Sequence, residues 1–275
     1  MLNFCANVSW MFREVPFLDR PDAARRAGFR GIEFHSPEQH TATEIARAAR
    51  DAGVSIVLFN ANPEDFLSGG LGLSGVPGRE ADFRHAVKQA RNFGASLGGV
   101  DTCVQIGQSR VPPDVSREEC MRVYVENLRY AASELAHGGC RPLVEPMNAT
   151  DFPGVLIPDV PTALAAIEAA GDPRIGLQLD AYHQYMSGED AASLIVQLGG
   201  RVSHVQISDA PGRQEPGTGR IDFGPLFHAL EGQRYPHWLA AEYHPSRATD
   251  RTLGWMQARA SWQAGKVAPL PAGNG

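Results

Sequence analysis

The chain has 275 residues, 43% hydrophobic and 20% charged, with a net charge of −6 at pH 7. That composition supports a sizeable globular core, and its acidic balance argues against broad binding to a phosphate backbone, so no nucleic-acid partner is expected. No run approaches the ~20 apolar residues of a membrane span, no basic, apolar leader is visible in "MLNFCANVSW", and Cys5, Cys103, Cys120 and Cys140 form no C-x-x-C pair; the expectation is a reduced cytoplasmic chain without a membrane partner.

Short apolar runs alternate with longer helical patterns. The first candidate strand is "NFCANV" (3–8), followed by a helix over 21–28. "GIEFH" (31–35) leads into a helix over 42–53 that ends in glycine, a common helix stop. "SIVLFN" (55–60) is followed by a long connection, 60–80, of the kind that forms a functional lid or stays unstructured. A helix over 79–94 precedes the strand "GVDTCVQIG" (99–107), and a helix over 116–139 opens with Ser116 and Glu119 at capping-box spacing. "RPLVEP" (141–146) and a helix over 159–171 come next, then "IGLQLD" (175–180) with a helix over 188–200. "VSHVQIS" (202–208) precedes a helix over 222–232, and "WLAAEY" (238–243) one over 249–265.

Eight strands, each followed by a helix, imply a parallel sheet with crossover helices. Eight units within about 265 residues fit a single (β/α)8 TIM barrel over 1–265, with the Pro/Gly-rich tail 266–275 flexible. The rival, an open doubly wound sheet, would carry a Gly-rich phosphate loop after its first strand, and "NFCANVSWMF" has none.

In such a barrel, active sites form at the C-terminal ends of the strands. Strands five to eight end in Glu145, Asp180, Gln206 and Glu242, which are 35, 26 and 36 residues apart, about one βα unit each. Their side chains can therefore converge. Clustered carboxylates repel one another unless a cation compensates them, and carboxylate and amide oxygens suit a hard divalent ion, Mg²⁺ or Mn²⁺. Nearby, His183 is a donor to a substrate oxygen or an orienter of Asp180, and both readings stay open. Arg213, in the glycine-containing loop 208–223, is placed to offer its fork to a substrate carboxylate or to solvent. Strand three ends at Asn60, strand one near Asn7, and Glu33 and His35 alternate toward the same rim. Gln105 and His204 face inward by parity as supporting polar residues, whereas His85, His137 and His228 fall on helices and read as surface.

"ANVSWMF", "GFRGIEF", "VPGRE", "ENLRYAA", "VEPMN", "LDAYH", "HVQISD", "EPGTGRIDF" and "AEYHP" together resemble the hydroxypyruvate isomerase family of the xylose-isomerase-like barrels, from about residue 2 to 256. The resemblance implies a metal held by Glu145, Asp180, Gln206 and Glu242, with the two glutamates also moving the proton. It implies substrate contacts from His183 and Arg213. At the strand-eight position where the family carries lysine, two residues after the glutamate, this chain has His244, a further candidate substrate contact together with Asn60. The stretch "LFNANPEDFLSGGLGLSGVPGRE" is similar to the 2-oxo-tetronate isomerase branch, and "EPMNATDFPG" and "EPGTG" to hydroxypyruvate isomerases. The implied reaction is aldose–ketose interconversion of hydroxypyruvate and tartronate semialdehyde through an enediolate; the alternatives are a 2-oxo-tetronate isomerase, a ketose 3-epimerase, or a sugar-acid binding protein without turnover. A DNA-repair endonuclease on this barrel would carry several histidine ligands for zinc, and strand seven offers Gln206 instead. The expected partner is a small hydroxy or keto acid or a sugar, with homo-oligomerisation left open.

Overall fold

The computed structural model describes residues 2–35, 37, 39–98, 101–258 and 262. Eight parallel strands pair in chain order: β1 (Asn3–Asn7), β2 (Gly31–Phe34), β3 (Ser55–Asn60), β4 (Thr102–Gln105), β5 (Cys140–Val144), β6 (Gly176–Asp180), β7 (Val202–Ile207) and β8 (Trp238–Ala241). β8 pairs back onto β1, with Cys5 opposite Ala240, so the sheet is the closed (β/α)8 barrel that the alternation implies.

Outside it lie α1 (Arg20–Arg26), α2 (Ala42–Ala52), α3 (Glu80–Leu97), α4 (Arg117–Ala136), α5 (Val160–Ala170), α6 (Ala181–Met186), α7 (Ala191–Leu198), α8 (Phe223–Gly232) and α9 (Gly254–Ala258). Local signals explain most of their ends. Thr41 and Glu44 close a full capping box on α2, and Gly53 ends it in the left-handed conformation. At α4 only half of the expected box forms: Ser116 accepts from the Glu119 N–H at 3.1 Å, while the Glu119 carboxylate turns to Arg122 instead. The final helical pattern is broken after Thr249–Thr252, a 3₁₀ turn, and resumes as α9; the tail 266–275 lies outside the described residues.

The barrel interior is layered by the two-residue period of its strands. Cys5, Leu58, Cys103, Leu143 and Ala240 belong to a small apolar cluster separate from the main core. Each lies two residues before a polar residue at the C-terminal rim: Asn7, Asn60, Gln105, Glu145 and Glu242. An apolar plug thus closes the barrel beneath the rim. The opposite face of each strand joins the main core against the helices, where residues such as Ile32, Val104, Leu177 and Val205 are fully buried.

The connection 60–80 is neither open nor structureless. It carries a 3₁₀ turn, Phe66–Ser68, with Phe66 buried between the Arg110 guanidinium (4.4 Å from the ring) and Phe152 (ring centroids 5.5 Å apart). Arg110 Nη1 donates to the carbonyls of Phe66 and Gly70, and the Gly72 N–H donates to Asp65 Oδ1 at 2.9 Å. The segment is a roof fastened to the loop after β4.

At the base of β2, a Cβ on Gly31 would stand 2.6 Å from Val57 Cγ2 and 2.9 Å from the Trp238 ring. Gly31→Ala is expected to cost about 1–3 kcal/mol of stability by overpacking, read as a lowered urea midpoint at unchanged m-value. A midpoint equal to wild type would show that the barrel base is not packed as described.

Candidate active site

Glu145, Asp180 and Glu242 stand at or just past the ends of β5, β6 and β8, and all three are buried. Arg213 reaches them from the loop after β7. Its Nη2 donates to Asp180 Oδ2 at 2.7 Å and to Glu242 Oε2 at 3.1 Å, so a single cationic nitrogen spans two carboxylates. The guanidinium carbon lies over the Trp10 and Tyr182 rings, 4.7 Å from each centroid.

The loop that delivers Arg213 is built around Asp209, a buried carboxylate in "HVQISD". Asp209 accepts four backbone N–H bonds, from Ala210, Gly217, Gly219 and Ile221, at 2.8–3.0 Å. Arg213 itself takes φ +50°, a costly conformation for a side-chain-bearing residue that persists only where its surroundings fix it. The His244 N–H donates to the Arg213 carbonyl at 2.8 Å, and Glu215 accepts from the Ser246 N–H and hydroxyl.

The two glutamates differ in their donors. Glu242 Oε1 accepts from Asn7 Nδ2 at 2.9 Å and lies 2.6 Å from His35 Nε2, while Oε2 accepts from Arg213. Burial alone would raise its pKa, but the His35 hydrogen bond and then the charges of His35, Arg213 and His204 outweigh it and hold the carboxyl below its usual range. Glu145 accepts a side-chain bond from Gln105. Burial first, then the negative charges of Glu242 and Asp180, keep it well above the usual carboxylate range. Asp180 is pushed up to about 6, mainly by burial, with Arg213 opposing and Glu242 adding to the shift.

Gln206 lies below these carboxylates, paired in register with Asp180. Its Nε2 donates to Glu33 Oε1 at 2.7 Å and its oxygen accepts from Gln178 Nε2 at 2.6 Å. His204 meets the other Glu33 oxygen at 2.7 Å. Glu33 and His204 thus form a polar floor between plug and rim, and Gln105 and His204 have the supporting places their parity implied. Asn60 lines the cavity, and its buried Oδ1 has no hydrogen-bond partner among the described residues. His244 is not among the residues lining the cavity; its ring stacks on Trp10, with centroids 4.0 Å apart and planes 22° from parallel. His183, fully buried, lines the cavity, and burial followed by the Arg213 charge holds its pKa well below the ordinary histidine value.

Trp10 and His35 also line the cavity. Sequence reasoning passed over Trp10 and left His35 without a role, because their partners, Arg213, Glu242 and His244, lie some 200 residues away.

The donor set fits a hard cation. Glu145, Asp180 and His183 each bring one donor atom within 4.8 Å of the others, a buried group able to hold a metal ion. Three buried carboxylates around one guanidinium leave negative charge to spare, and two of the pKa values are raised, by burial first and by the neighbouring carboxylates after it.

The described fold matches the xylose isomerase-like TIM barrel family model over residues 21–260. The chain is 38% identical over 259 residues to the 2-oxo-tetronate isomerase of Cupriavidus necator, covering 94% of this chain and 98% of that one. It is 36% identical over 257 residues to the hydroxypyruvate isomerase of Escherichia coli K12, covering 93% and 98%. The chain belongs to the hydroxypyruvate isomerase/2-oxo-tetronate isomerase family. Among solved structures, this isomerase-family chain superposes on the AP endonuclease family 2 protein from Brucella melitensis with a TM-score of 0.86, at 37% identity and with 94% and 98% of the two chains covered. An L-ribulose 3-epimerase, at 22% identity and a TM-score of 0.73, shares the fold.

Asp180 Oδ1 also caps α6 by accepting from the Tyr182 N–H at 2.9 Å, a bond that asparagine would keep. Asp180→Asn should therefore retain the fold while weakening Mn²⁺ binding by about tenfold or more, through loss of a full charge facing a divalent ion. Isothermal titration checks this; unchanged Mn²⁺ affinity would remove Asp180 from the ligand set.

Proposed function

We propose that the chain isomerises a small sugar acid, with hydroxypyruvate and tartronate semialdehyde as the leading pair. The observation that carries this reading is the pair of buried glutamates, Glu145 and Glu242, facing one cavity of about 200 Å³ in opposite electrostatic settings. The reaction moves one carbon-bound hydrogen from C3 to C2 and one hydroxyl hydrogen from O3 to O2, through an enediolate. It needs a base on one carbon and an acid on the next, which is what two carboxylates with separated pKa values provide.

Glu242, held ionised by its donors, takes the proton. Glu145 returns one to the neighbouring carbon. Arg213, which lines the cavity, supplies positive charge for the substrate carboxylate and the developing enediolate. His183 and Asn60 offer polar contacts to the substrate oxygens, and His244 backs Trp10 in the cavity wall. A Mg²⁺ or Mn²⁺ ion held by Glu145, Asp180 and Glu242, with Gln206 beneath them, supplies Lewis-acid polarisation of the carbonyl when bound. The roof residues Pro63, Phe66 and Leu67 keep bulk water from the reacting carbons.

A second reading, isomerisation of a four-carbon 2-oxo-tetronate, is favoured by the 38% identity to the Cupriavidus necator relative. A turnover panel of hydroxypyruvate, 2-oxo-tetronates and ketoses, with and without chelator, decides between the two. Solvent deuterium should enter the product carbon, which separates an isomerase from a binding protein; a chain that binds these acids but exchanges no hydrogen would refute turnover.

Glu145→Gln and Glu242→Gln keep side-chain volume and an oxygen ligand but remove the proton carrier. Each is expected to lower kcat by about 10²–10⁴-fold with an unchanged far-UV circular dichroism spectrum. Near wild-type turnover by both variants would exclude the two-glutamate mechanism. Asp209→Ala should lower kcat/KM by up to about 10²-fold by misplacing Arg213. The same change made on an Arg213→Ala background should cost little more, and full additivity would show that Asp209 does not act through Arg213.

A further inference from the structure

His183 is one of three residues whose donor atoms cluster as an ion-binding group, yet its own hydrogen bonds constrain what it can offer there. A neutral imidazole carries its proton on one nitrogen and a lone pair on the other, and the partner of the buried nitrogen decides which. For His183 that partner is Asn148, the last residue of "RPLVEPMN".

Asn148 Nδ2 lies 2.7 Å from His183 Nδ1. Which end of the Asn148 amide faces the ring is fixed by two independent contacts. Its Oδ1 accepts from the Asp151 N–H at 2.8 Å, and its Nδ2 donates to the Asp151 carboxylate Oδ2 at 3.0 Å. A flipped amide would set its oxygen against the carboxylate and its NH₂ against an N–H, losing both bonds. The Tyr182 hydroxyl donates to the same Asp151 Oδ2 at 2.8 Å and anchors the carboxylate from the far side. The Asn148 backbone N–H also points at His183 Nδ1, at 3.5 Å. Among the described residues Nδ1 therefore faces only donors, and it must keep its lone pair.

We infer that Asn148, braced by Asp151 and Tyr182, is a positioning residue that locks His183 as the Nε2–H tautomer, so that His183 faces the cavity as a hydrogen-bond donor and not as a metal ligand. A nitrogen that bears a proton has no lone pair for a cation. Nε2 stands 3.8 Å from Asp180 Oδ2, too far for a hydrogen bond, so its N–H remains directed at the cavity that His183 lines. The rings of Phe152 and Tyr182, edge-on at 5.9 and 5.5 Å, brace the imidazole against turning. The ion is left to carboxylate and amide oxygens, the donor chemistry that suits Mg²⁺ or Mn²⁺. The use of this N–H on a substrate oxygen rests on the isomerase reading; the tautomer itself does not.

The test is a two-bond ¹⁵N–¹H correlation spectrum of the imidazoles, with His183 assigned by the signals lost in His183→Gln. The expected result is the Nε2–H pattern both in metal-free protein and at saturating Mg²⁺. An Nδ1–H pattern, or loss of the Nε2 proton when Mg²⁺ is added, would overturn the proposal. The paired exchange Asn148→Asp with Asp151→Asn keeps the bonds between 148 and 151, with the Tyr182 hydroxyl turning from donor to acceptor, and places an acceptor against Nδ1. It should reverse the tautomer and lower kcat about tenfold or more, with the Mg²⁺ titration midpoint unchanged within about twofold. A reversed tautomer with wild-type kcat would overturn the donor role. Should the paired variant not fold, Asn148→Ala removes the side-chain donor and is expected to give mixed tautomers; a pure Nε2–H signal there would overturn the lock. A wild-type chain that turns over no sugar acid yet shows the Nε2–H pattern would refute the isomerase reading alone.

Discussion

One guanidinium in a buried carboxylate cluster sets the terms for the whole site. Arg213 Nη2 bridges Asp180 and Glu242, and its guanidinium carbon lies over two aromatic rings. Buried carboxylates without a countercharge would take up protons, because desolvation favours the neutral form. One countercharge for three acids gives partial compensation. It falls on the two acids that Arg213 touches, and leaves Glu145 the most strongly raised. Burial raises all three acids, and they part by what opposes it: His35 first and then Arg213 at Glu242, and Arg213 at Asp180, which still stays raised; the place of the arginine follows from the Asp209 loop. A carboxylate that accepts four N–H groups from its own loop resists movement, because any shift strips several buried donors at once.

Beneath this cluster the barrel changes character over one layer. Cys5, Leu58, Cys103, Leu143 and Ala240 close the bottom with apolar contacts, while Glu33, Gln178, His204 and Gln206 above them exchange hydrogen bonds only with one another and the rim. The floor is fully buried, and two of its atoms, Gln178 Oε1 and His204 Nδ1, have no hydrogen-bond partner among the described residues. Its polarity is directional: the Glu33 carboxylate fixes which end of the Gln206 amide points where, and Gln206 in turn presents its oxygen to Gln178. The second lone pair of that oxygen and the unpartnered Gln178 Oε1 are the acceptors the floor still has among the described residues. An apolar residue at 206 would fill the space but leave Glu33 without one donor and Gln178 without its acceptor.

The fold and the acidic rim were legible in the sequence because both rest on local periodicity. Strand parity alone places Glu145, Asp180, Gln206 and Glu242 at one end of the barrel, and the structure puts them there. What parity cannot show is orientation. Gln206 sits at the expected height with its amide engaged by the floor, and His244 stands at the expected place on the chain but behind Trp10. The short helix α6 escaped notice because six residues give too little periodicity, and its cap, Asp180, read as the end of a strand. Trp10, His35 and Asp209 gain their roles from contacts or loop closures with no repeating spacing. The one nearby clue, the aspartate followed by the glycines 212, 217 and 219, marks a loop folded back on a side chain and is specific only in retrospect.

Chemistry and selectivity therefore come from different parts of the chain. The glutamates proposed to move the proton stand just past strand ends, where neighbouring strands on both sides fix the backbone. The cavity's upper wall is built from Pro63, Phe66 and Leu67 in the 60–80 roof and Phe152 in the loop after β5, and Leu67 is 61% exposed while lining it. Loop-borne apolar residues respond to the length of a substrate, whereas the floor and rim respond only to the two carbons and oxygens that react. On the proposed reading, a three-carbon and a four-carbon sugar acid would present the same reacting atoms to Glu145 and Glu242 and would differ in what they push against the roof, so the choice between them would fall to the roof residues.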